Sequence, residues 1–255
     1  MKVLAVGDVC GKAGMEHLRR TLRVVQRTYG VDFTVVNGEN ANVVGVTPDQ
    51  CEELLNAGAD VITLGNHTWV RWEMRDYLED TPRVLRPLNF AARCPGRGEG
   101  VFETSFGPVR VLNAMGRYGL DANTDNPFPI LDRLLSDRGV TISLLDFHAE
   151  ATSEKIAMGY LLEGRASAVW GTHTHVQTSD CCVLPGGTGY ITDLGMTGPI
   201  RSVLGIDPRQ SIDRFLGEPP RRYRPGEGPC KMECALFTID PETGRCLRAE
   251  ALRVE

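Results

Sequence analysis

Two of the five histidines lie one residue apart in the segment Ala168 to Asp180, which reads AVWGTHTHVQTSD. His173 and His175 follow an apolar run directly and are flanked by a glycine and by hydroxyl side chains. Two imidazoles at this spacing can reach the same metal ion where the chain leaves a strand and its strict alternation relaxes. The pair alone is weak evidence, since two histidines in a loop can equally make ordinary hydrogen bonds.

Most of the other predicted strands also end in side chains that can bind a metal ion. These residues are Asp8, Glu39, Asn40, Asn66, His67 and His148. Three of them have an ordinary interpretation as well: Asp8 could cap a helix, Glu39 could pair with an arginine, and His148 could be a satisfied histidine of the core. Ligands of an open α/β sheet bind outside the carboxyl ends of its strands, so the joint pattern favours a metal site there.

The chemistry of these side chains narrows the choice of metal. Carboxylate, amide and imidazole groups without a required thiolate suit Mn, Fe or Zn better than a closed structural zinc site. Six or more ligands are too many for one tetrahedral ion. We therefore expect two divalent ions that are bridged by a carboxylate and lie about 3.5–4 Å apart.

The elements that must position these residues are short runs rich in β-branched residues, separated by helical stretches or loops. This rhythm predicts a mostly buried β-sheet with crossover helices, which is an α/β fold. The runs are Lys2 to Val9, Phe33 to Asn40, Val61 to His67, Val109 to Gly116, Thr141 to Glu150, Ser167 to His175 and Gly189 to Met196.

Helix boundaries are also marked in the sequence. A first helix, whose apolar residues recur at helical intervals, is predicted to end at Gly30 as its C-cap. A second is predicted to begin with Thr47 as N-cap and Pro48 at the first helical position, and to end at Gly58. The proline-containing segment from Pro82 to Gly107 is predicted to be irregular.

The sequence favours a single domain that covers residues 1–255. It contains no internal repeat and no low-complexity linker. After about Ile206 the chain becomes rich in proline, glycine and arginine, and two strand candidates then flank the turn from Pro241 to Gly244. Residues 206–255 are therefore expected to form a C-terminal loop plus strand extension, whose apolar strands suggest assembly into a homo-oligomer.

Composition and charge exclude several classes of protein. The net charge is -5 and the lysines and arginines are scattered, so no stable complex with a polynucleotide is expected. The basic cluster from Arg221 to Arg224 is interpreted as a solvated loop, with an anion site as the alternative. No apolar segment approaches the roughly 20 residues that cross a bilayer. Eight cysteines without a C-x-x-C pair indicate reduced thiols and a cytoplasmic protein.

Five short motifs together resemble the ordered sequence blocks of the calcineurin-like metallophosphoesterases. They are GD at residues 7–8, NGEN at 37–40, GNH at 65–67, DFHAE at 146–150 and GTHTH at 171–175. The stretches DFHAEATSEK, GTHTHVQTSD and ITDLGMTGP, and MGR followed by DNPF, are similar to the YmdB-like branch, bacterial phosphodiesterases that act on 2',3'-cyclic nucleotides. The resemblance extends from residue 1 to about residue 205 and implies a four-layer αββα sandwich with the metal site at the carboxyl ends of the strands.

The resemblance also implies a role for each candidate ligand. Its assignments are Asp8 and His175 for the first ion, Asn66, His148 and His173 for the second, and Glu39 as the bridge. In most of the superfamily the bridge is an aspartate, and a histidine stands two residues after the first aspartate, where this chain has Cys10. Asn40 is the candidate replacement ligand. Cys10 is interpreted as a packing residue, with a thiolate ligand as the alternative.

The implied reaction is hydrolysis of a phosphodiester. Two divalent ions would lower the pKa of a bridging water, so that hydroxide attacks in line, and would bind the phosphoryl oxygens. His67 resembles the superfamily's acid histidine and would protonate the leaving ribose oxygen, with a supporting hydrogen bond as the alternative. Glu39, as the bridge, and His67 are therefore the predicted catalytic residues.

Three further features of the sequence have two interpretations each. Lys12, beside the start of the first helix, could help to bind phosphate or could be an exposed lysine. Arg117 could contact the substrate or form a salt bridge. The loop from Asp193 to Pro199 is interpreted as a wall of the pocket, in preference to a catalytic segment.

We expect a dinuclear, metal-dependent phosphodiesterase whose substrate is a small cyclic nucleotide, most specifically a 2',3'-cyclic one. The same metal core would serve a phosphomonoesterase or protein phosphatase equally well. A metal-binding nucleotide sensor or RNA-associated regulator with little turnover is the alternative from a different class. The presence of both Glu39 and His67 argues against the regulator, since a pure binder needs no bridging acid together with a proton donor.

Overall fold

The computed structural model describes residues 1–120, 122–136 and 139–255, and these form two β-sheets and six helices. The helices are α1 (Gly11–Tyr29), α2 (Pro48–Ala57), α3 (Met74–Asp80), α4 (Pro127–Leu134), α5 (Thr152–Leu161) and α6 (Pro208–Phe215). The strands are β1 (Lys2–Val6), β2 (Asp8–Val9), β3 (Phe33–Asn37), β4 (Val61–Thr63), β5 (Val84–Leu85), β6 (Glu99–Thr104), β7 (Gly107–Met115), β8 (Ile142–His148), β9 (Ala168–Thr172), β10 (Cys182–Val183), β11 (Gly189–Ile191), β12 (Met196–Pro199), β13 (Cys230–Ile239) and β14 (Cys246–Val254).

The first sheet has eight strands and is built around β1. On one side of β1 the strands β3, β4 and β5 follow in parallel. On the other side β13 runs antiparallel to β1, and it also pairs with β12 and β14. β12 in turn pairs in parallel with β2. The chain's last two strands therefore belong to the same sheet as its first.

The second sheet has six strands in the order β10, β11, β9, β8, β7, β6. Its four inner strands are parallel, and the strand at each edge is antiparallel to its neighbour. The rhythm of apolar runs indicates only a mostly buried sheet, whereas the two sheets agree with the α/β sandwich that the family resemblance implies. The seven predicted runs are divided between the two sheets. The three runs before residue 100 belong to the first sheet and the three runs between residues 109 and 175 to the second, while the last run supplies β11 to the second sheet and begins β12 of the first at Met196.

Alternate residues of the strands bury into different apolar clusters, as the two-residue period of a strand requires. Leu4 and Val6 of β1 pack in a cluster with apolar residues of α1, α2 and α3. Val3 and Ala5 of the same strand join residues of the second sheet, among them Trp170. A third cluster combines the second sheet with residues of α4 and α5. Both sheets are thus covered on two faces.

The predicted helix boundaries are confirmed. Gly30 ends α1 with a φ of 64°, which is a left-handed conformation that favours glycine. Thr47 caps α2, and its side chain and that of Gln50 form a reciprocal capping box. Pro48 occupies the first turn, and Gly58 follows the last one.

Two sequence predictions about irregular segments were wrong in part. The segment from Pro82 to Gly107 contains β5 and the edge strand β6, which pairs with β7. The glycine and glutamate residues of β6 are not typical of a strand, so it was not predicted. The Pro-, Gly- and Arg-rich segment after Ile206 contains α6, which has no buried residue. β5 has only two residues, and neither β6 nor α6 buries a continuous apolar face, so the sequence pattern does not mark these elements.

No described helix is both long enough and apolar enough to cross a membrane. All eight cysteines are free thiols. Burial raises the pKa of the Cys234 thiol to about 12, so this side chain is an inert part of the core.

Candidate metal centre

The carboxyl ends of strands from both sheets meet at one place, and every predicted site residue lies there. Five of the residues come from the first sheet and its loops, namely Asp8, Glu39, Asn40, Asn66 and His67. Three come from the second sheet, namely His148 at the end of β8 and His173 and His175 after β9. The distances below link all eight into one network.

The Nε2 atom of His148 is the centre of the first group of ligand atoms. It lies 3.1 Å from Glu39 Oε1, 2.9 Å from Asn66 Oδ1 and 3.1 Å from His173 Nδ1. Ligand atoms of Glu39, His148 and His173 all lie within 4.8 Å of one another. A group of nitrogen and oxygen atoms this close, facing one point, fits a metal ion.

The second group contains Asp8, Asn40 and His175. The Nε2 atom of His175 lies 3.6 Å from Asp8 Oδ1 and 3.1 Å from the amide nitrogen of Asn40. The same amide nitrogen is 3.4 Å from Asp8 Oδ1. A half-turn of the Asn40 amide would present its oxygen to this group instead, so its role as a replacement ligand stays a prediction.

Glu39 connects the two groups. Its Oε1 atom contacts His148 in the first group and accepts a 3.4 Å hydrogen bond from Asn40 of the second. A second connection runs from the backbone N–H of His173 to Asp8 Oδ2 at 3.1 Å. Glu39 therefore lies where a bridging carboxylate is required, although the bridge itself stays a prediction.

Each of the three candidate ligand histidines has one ring nitrogen that points away from the network, called its outer nitrogen. An acceptor outside the network binds this nitrogen. His148 Nδ1 donates to Thr172 Oγ1 at 2.9 Å, His173 Nε2 to Glu150 at 2.9 Å, and His175 Nδ1 to the Leu204 carbonyl at 3.0 Å. Such hydrogen bonds fix the tautomer and the ring orientation of metal-binding histidines. Each ring consequently directs its other nitrogen into the network, where it can hold a proton or a metal ion.

Asp146 supports His148 and was missed in the sequence. It is fully buried and accepts hydrogen bonds from Thr172 at 2.7 Å and from Thr63 at 2.5 Å. Burial raises the pKa of Asp146 to about 6. A signal was available: Asp146 is a lone carboxylate in an apolar strand, two residues before His148 and therefore on the same face of that strand.

The network contains buried negative charge that positive charge must balance. Asp8 and Glu39 are both fully buried. Burial raises the pKa of each carboxyl, but the nearby histidines outweigh it, His175 for Asp8 and His148 for Glu39, and hold both pKa values below their usual range. Burial lowers the pKa of the His148 and His175 rings, but their anionic neighbours outweigh it and raise both. Two buried carboxylates that stay charged need positive charge beside them, which divalent cations would supply, so the residues fit bound metal.

His67 lies at the edge of the network and is partly exposed. Its backbone N–H donates to Glu39 Oε2 at 3.1 Å, and its Nδ1 lies 3.1 Å from Asn40 Oδ1. Its ring also approaches Glu39 Oε1 at 3.4 Å. The ring therefore contacts two candidate ligands from outside the network and is partly open to solvent.

The backbone is strained around this network. The described non-glycine residues with a positive φ are Val43, His173, His175 and Leu204. Two of them are candidate ligands, and Leu204 accepts the hydrogen bond of His175. Such conformations cost roughly 1–3 kcal/mol each and persist only where the surrounding contacts impose them. Backbone strain of this kind is typical of ligand-binding and active sites, so it agrees with the prediction of a site here.

Three other residues named in the sequence have clear positions. Cys10 is buried beside His175, with its sulfur 3.5 Å from the outer Nδ1 atom, which agrees with a packing role. Lys12 has an 89% exposed side chain near Glu16. Arg117 is exposed and uses its backbone N–H to donate to Glu154.

Gly65 offers a direct test of the geometry. A methyl group at this position would overlap both Glu39 Oε2 and His148 Nε2. Gly65→Ala is therefore expected to lower the affinity for Mn²⁺ by about tenfold or more, by analogy with other changes that displace ligands. Isothermal titration with Mn²⁺ measures this effect, and thermal unfolding of the metal-free protein shows whether the fold is retained. Unchanged affinity in a folded variant would contradict the assignment of these two ligands.

Comparison with known proteins extends over the whole chain. A model of the YmdB-like protein family matches residues 4–252. The 2',3'-cyclic-nucleotide 2'-phosphodiesterase of Bacillus subtilis (strain 168) is 40% identical over 257 residues, which cover 100% of this chain and 97% of that protein.

Two crystal structures resemble this fold closely. One, described as a novel phosphatase from Mycoplasma pneumoniae, has a TM-score of 0.94 and 34% identity, and the match covers 100% of this chain and 93% of the other. The second is a hypothetical protein from Thermus thermophilus, with a TM-score of 0.92, 38% identity and coverage of 99% of this chain and 98% of the other.

Proposed function

The chain belongs to the YmdB-like protein family, and on this basis we propose that it is a metal-dependent phosphodiesterase of 2',3'-cyclic nucleotides. The expectation of a phosphoric diester hydrolase is confirmed at the level of enzyme class by the Bacillus subtilis relative. The observation that carries the proposal is the convergence of Glu39, His148 and His173 on one point, with Asp8 and His175 beside it. A small cyclic nucleotide is the proposed binding partner.

Two divalent ions would occupy the network. Asp8, His175 and Asn40 would hold one ion, and Asn66, His148 and His173 the other. Glu39 would contact both, since it already reaches both groups of ligand atoms. The nitrogen and oxygen atoms of this set suit Mn, Fe or Zn.

Bound ions and the chain's own residues would have different roles in the reaction. Bound ions would supply an activated water and neutralise the charge that develops on the phosphoryl oxygens. His67 would donate a proton to the ribose oxygen that leaves, because it lies outside the ligand atoms and faces solvent. Thr172, Glu150 and the Leu204 carbonyl would keep the three ligand histidines in the metal-binding tautomer.

The proposal includes a four-layer αββα arrangement and a single domain over residues 1–255. The three apolar clusters support the layers, since each combines a different pair of neighbouring layers. The pairing of β13 with β1 supports one domain, because it ties the C-terminal extension to the first strand. Eight free thiols support a reducing compartment such as the cytoplasm. Association of copies into a homo-oligomer and the lack of a stable polynucleotide complex stay predictions.

A phosphomonoesterase is the second candidate function. The Mycoplasma pneumoniae structure is described as a phosphatase, and the same ligand network would serve a monoester equally well. A nucleotide-sensing regulator with little turnover is the remaining alternative. The three hypotheses differ in which substrates are turned over and in whether turnover depends on metal.

Metal removal tests the proposed function. Purified protein is expected to contain about two divalent ions per chain by elemental analysis. Treatment with a chelator should abolish hydrolysis of 2',3'-cyclic AMP, and added Mn²⁺ should restore it. Phosphoserine and adenosine monophosphate serve as comparison substrates, and faster turnover of these monoesters would favour the phosphomonoesterase. Metal-free protein that Mn²⁺ cannot activate on any substrate would contradict the enzyme.

A further inference from the structure

The loop that carries two candidate ligands is fixed through the residue between them. His173 and His175 have φ angles of 101° and 63°, so the backbone on both sides of Thr174 is left-handed. Thr174 itself donates two hydrogen bonds to Asp193 Oδ2, from its backbone N–H at 3.1 Å and from its hydroxyl at 2.7 Å. The shape of the loop therefore depends on one carboxylate oxygen.

That carboxylate is itself anchored in the core. Asp193 and Lys155 are each 1% exposed, and Lys155 Nζ lies 2.6 Å from the Oδ2 atom that Thr174 contacts. The other oxygen, Oδ1, accepts from the backbone N–H of Gly195 at 2.9 Å. A buried ion pair persists when further hydrogen bonds satisfy its remaining atoms, as they do here.

A glycine beside the ion pair leaves room for the lysine side chain. Lys155 lies on α5 and reaches Asp193 across Gly171, the residue that opens the GTHTH motif. A methyl group on Gly171 would overlap the Lys155 side chain and the Thr192 carbonyl. The absence of a side chain at Gly171 thus gives the lysine its path to Asp193.

We propose that Lys155, Asp193 and Thr174 form a clamp that positions His173 and His175 for metal binding. The three residues act through the histidines and touch no ligand atom, so they are positioning residues. The clamp gives Asp193 a role of its own, while the interpretation of the segment from Asp193 to Pro199 as a wall of the pocket stays a prediction. The inference rests on the proposed function, because it assumes that the two histidines bind metal.

The clamp differs in its consequences from an ordinary buried ion pair. Loss of an ion pair that only stabilises the fold would lower the free energy of unfolding of the metal-free and the metal-bound protein alike. A clamp on the ligand loop affects the metal-bound state more, since a loop that leaves its strained conformation withdraws both histidines from the ions. Metal affinity is therefore the readout that separates the two roles.

Thr174→Val is the decisive variant because it keeps the β-branched shape and removes the hydroxyl donor. Mn²⁺ affinity is measured by isothermal titration of chelator-treated protein, and bound Mn²⁺ by electron paramagnetic resonance. The expected loss of affinity is about tenfold to a hundredfold, the range found when a group that supports a ligand is removed. Thr174→Ser retains the hydroxyl and is expected to restore affinity to near the wild-type value.

The matched control is Thr104→Val, whose hydroxyl donates to the Gly107 carbonyl at 2.7 Å in the hairpin between β6 and β7. This variant should bind Mn²⁺ like the wild type. If Thr174→Val also binds Mn²⁺ like the wild type, the clamp is overturned while the proposed function stands. If the wild-type protein binds no Mn²⁺, the proposed function fails first, independently of Thr174.

A second variant tests the ion pair of the clamp, which is formed by Lys155 and Asp193. Asp193→Asn keeps the side-chain shape and removes the charge that Lys155 balances. If Asp193 acts through Thr174, the losses of Mn²⁺ affinity in the two single variants should not add in the double variant, because they break one network. Additive losses would contradict a shared path. Should Asp193→Asn not fold, Thr174→Val and its serine counterpart still decide the proposal.

Discussion

Replacing Glu39 by glutamine is expected to abolish turnover of 2',3'-cyclic AMP and to reduce the metal content from about two ions per chain to one or fewer. Glu39 is fully buried and contacts His67, His148 and Asn40. Glutamine has the same shape but no charge, and its amide group cannot bridge two cations. We expect turnover to fall by at least about a thousandfold, which corresponds to roughly 4 kcal/mol of transition-state stabilisation.

The matched control for this change is Glu99→Gln. Glu99 is also paired with a basic side chain, Arg110 at 3.7 Å, but it lies in the edge strand β6. The control should keep its metal and its activity, which separates the loss of the bridge from the loss of any carboxylate. Two bound ions and near-normal turnover in Glu39→Gln would refute the bridging role and the dinuclear proposal with it.

The convergence of the candidate ligands could be predicted from the sequence because these residues obey a positional rule. Asp8, Glu39, Asn66, His148 and His173 each lie where an apolar run stops, and the carboxyl ends of parallel strands share one edge. The rule needs no knowledge of how the strands are ordered. The rule therefore applies equally to one sheet and to the two sheets of this structure, where the carboxyl ends of strands from both sheets meet at the site.

The supporting residues could not be predicted in the same way. Asp146, Thr172 and Glu150 orient the histidines, but a sequence does not reveal which nitrogen of each ring is engaged. The ion pair of Lys155 with Asp193 joins residues 38 positions apart, in a helix and in a loop. Pairings of this kind depend on the packing of separate elements, which no periodicity encodes.

The order of the strands in the sheets could not be predicted from the sequence either. β13 was predicted as a strand from its apolar run, but its position beside β1 follows only from long-range pairing between Ala5 and Ala235 and their neighbours. This position matters for the site. β13 also pairs with β12, and β12 pairs with β2, which begins at Asp8. The C-terminal segment thus helps to hold the strand that carries a candidate ligand.

Replacing His67 by glutamine is expected to leave about two ions bound and to lower kcat on 2',3'-cyclic AMP by about a hundredfold to ten-thousandfold, the usual contribution of a general acid. The ring contacts Asn40 and Glu39 from outside the ligand atoms, so its loss should not release metal. Metal content by elemental analysis and steady-state kinetics measure the two effects. A regulator without turnover would keep its biological effect through this change.

The choice of leaving group makes this test specific to proton donation. The ribose alkoxide needs a proton to leave, whereas p-nitrophenolate is a stable anion and does not. His67→Gln should therefore slow hydrolysis of bis(p-nitrophenyl) phosphate far less than hydrolysis of 2',3'-cyclic AMP. Equal losses on both substrates would instead assign His67 to binding of the phosphoryl group. The difference between the substrates measures proton donation alone, because both would use the same ions and the same Glu39.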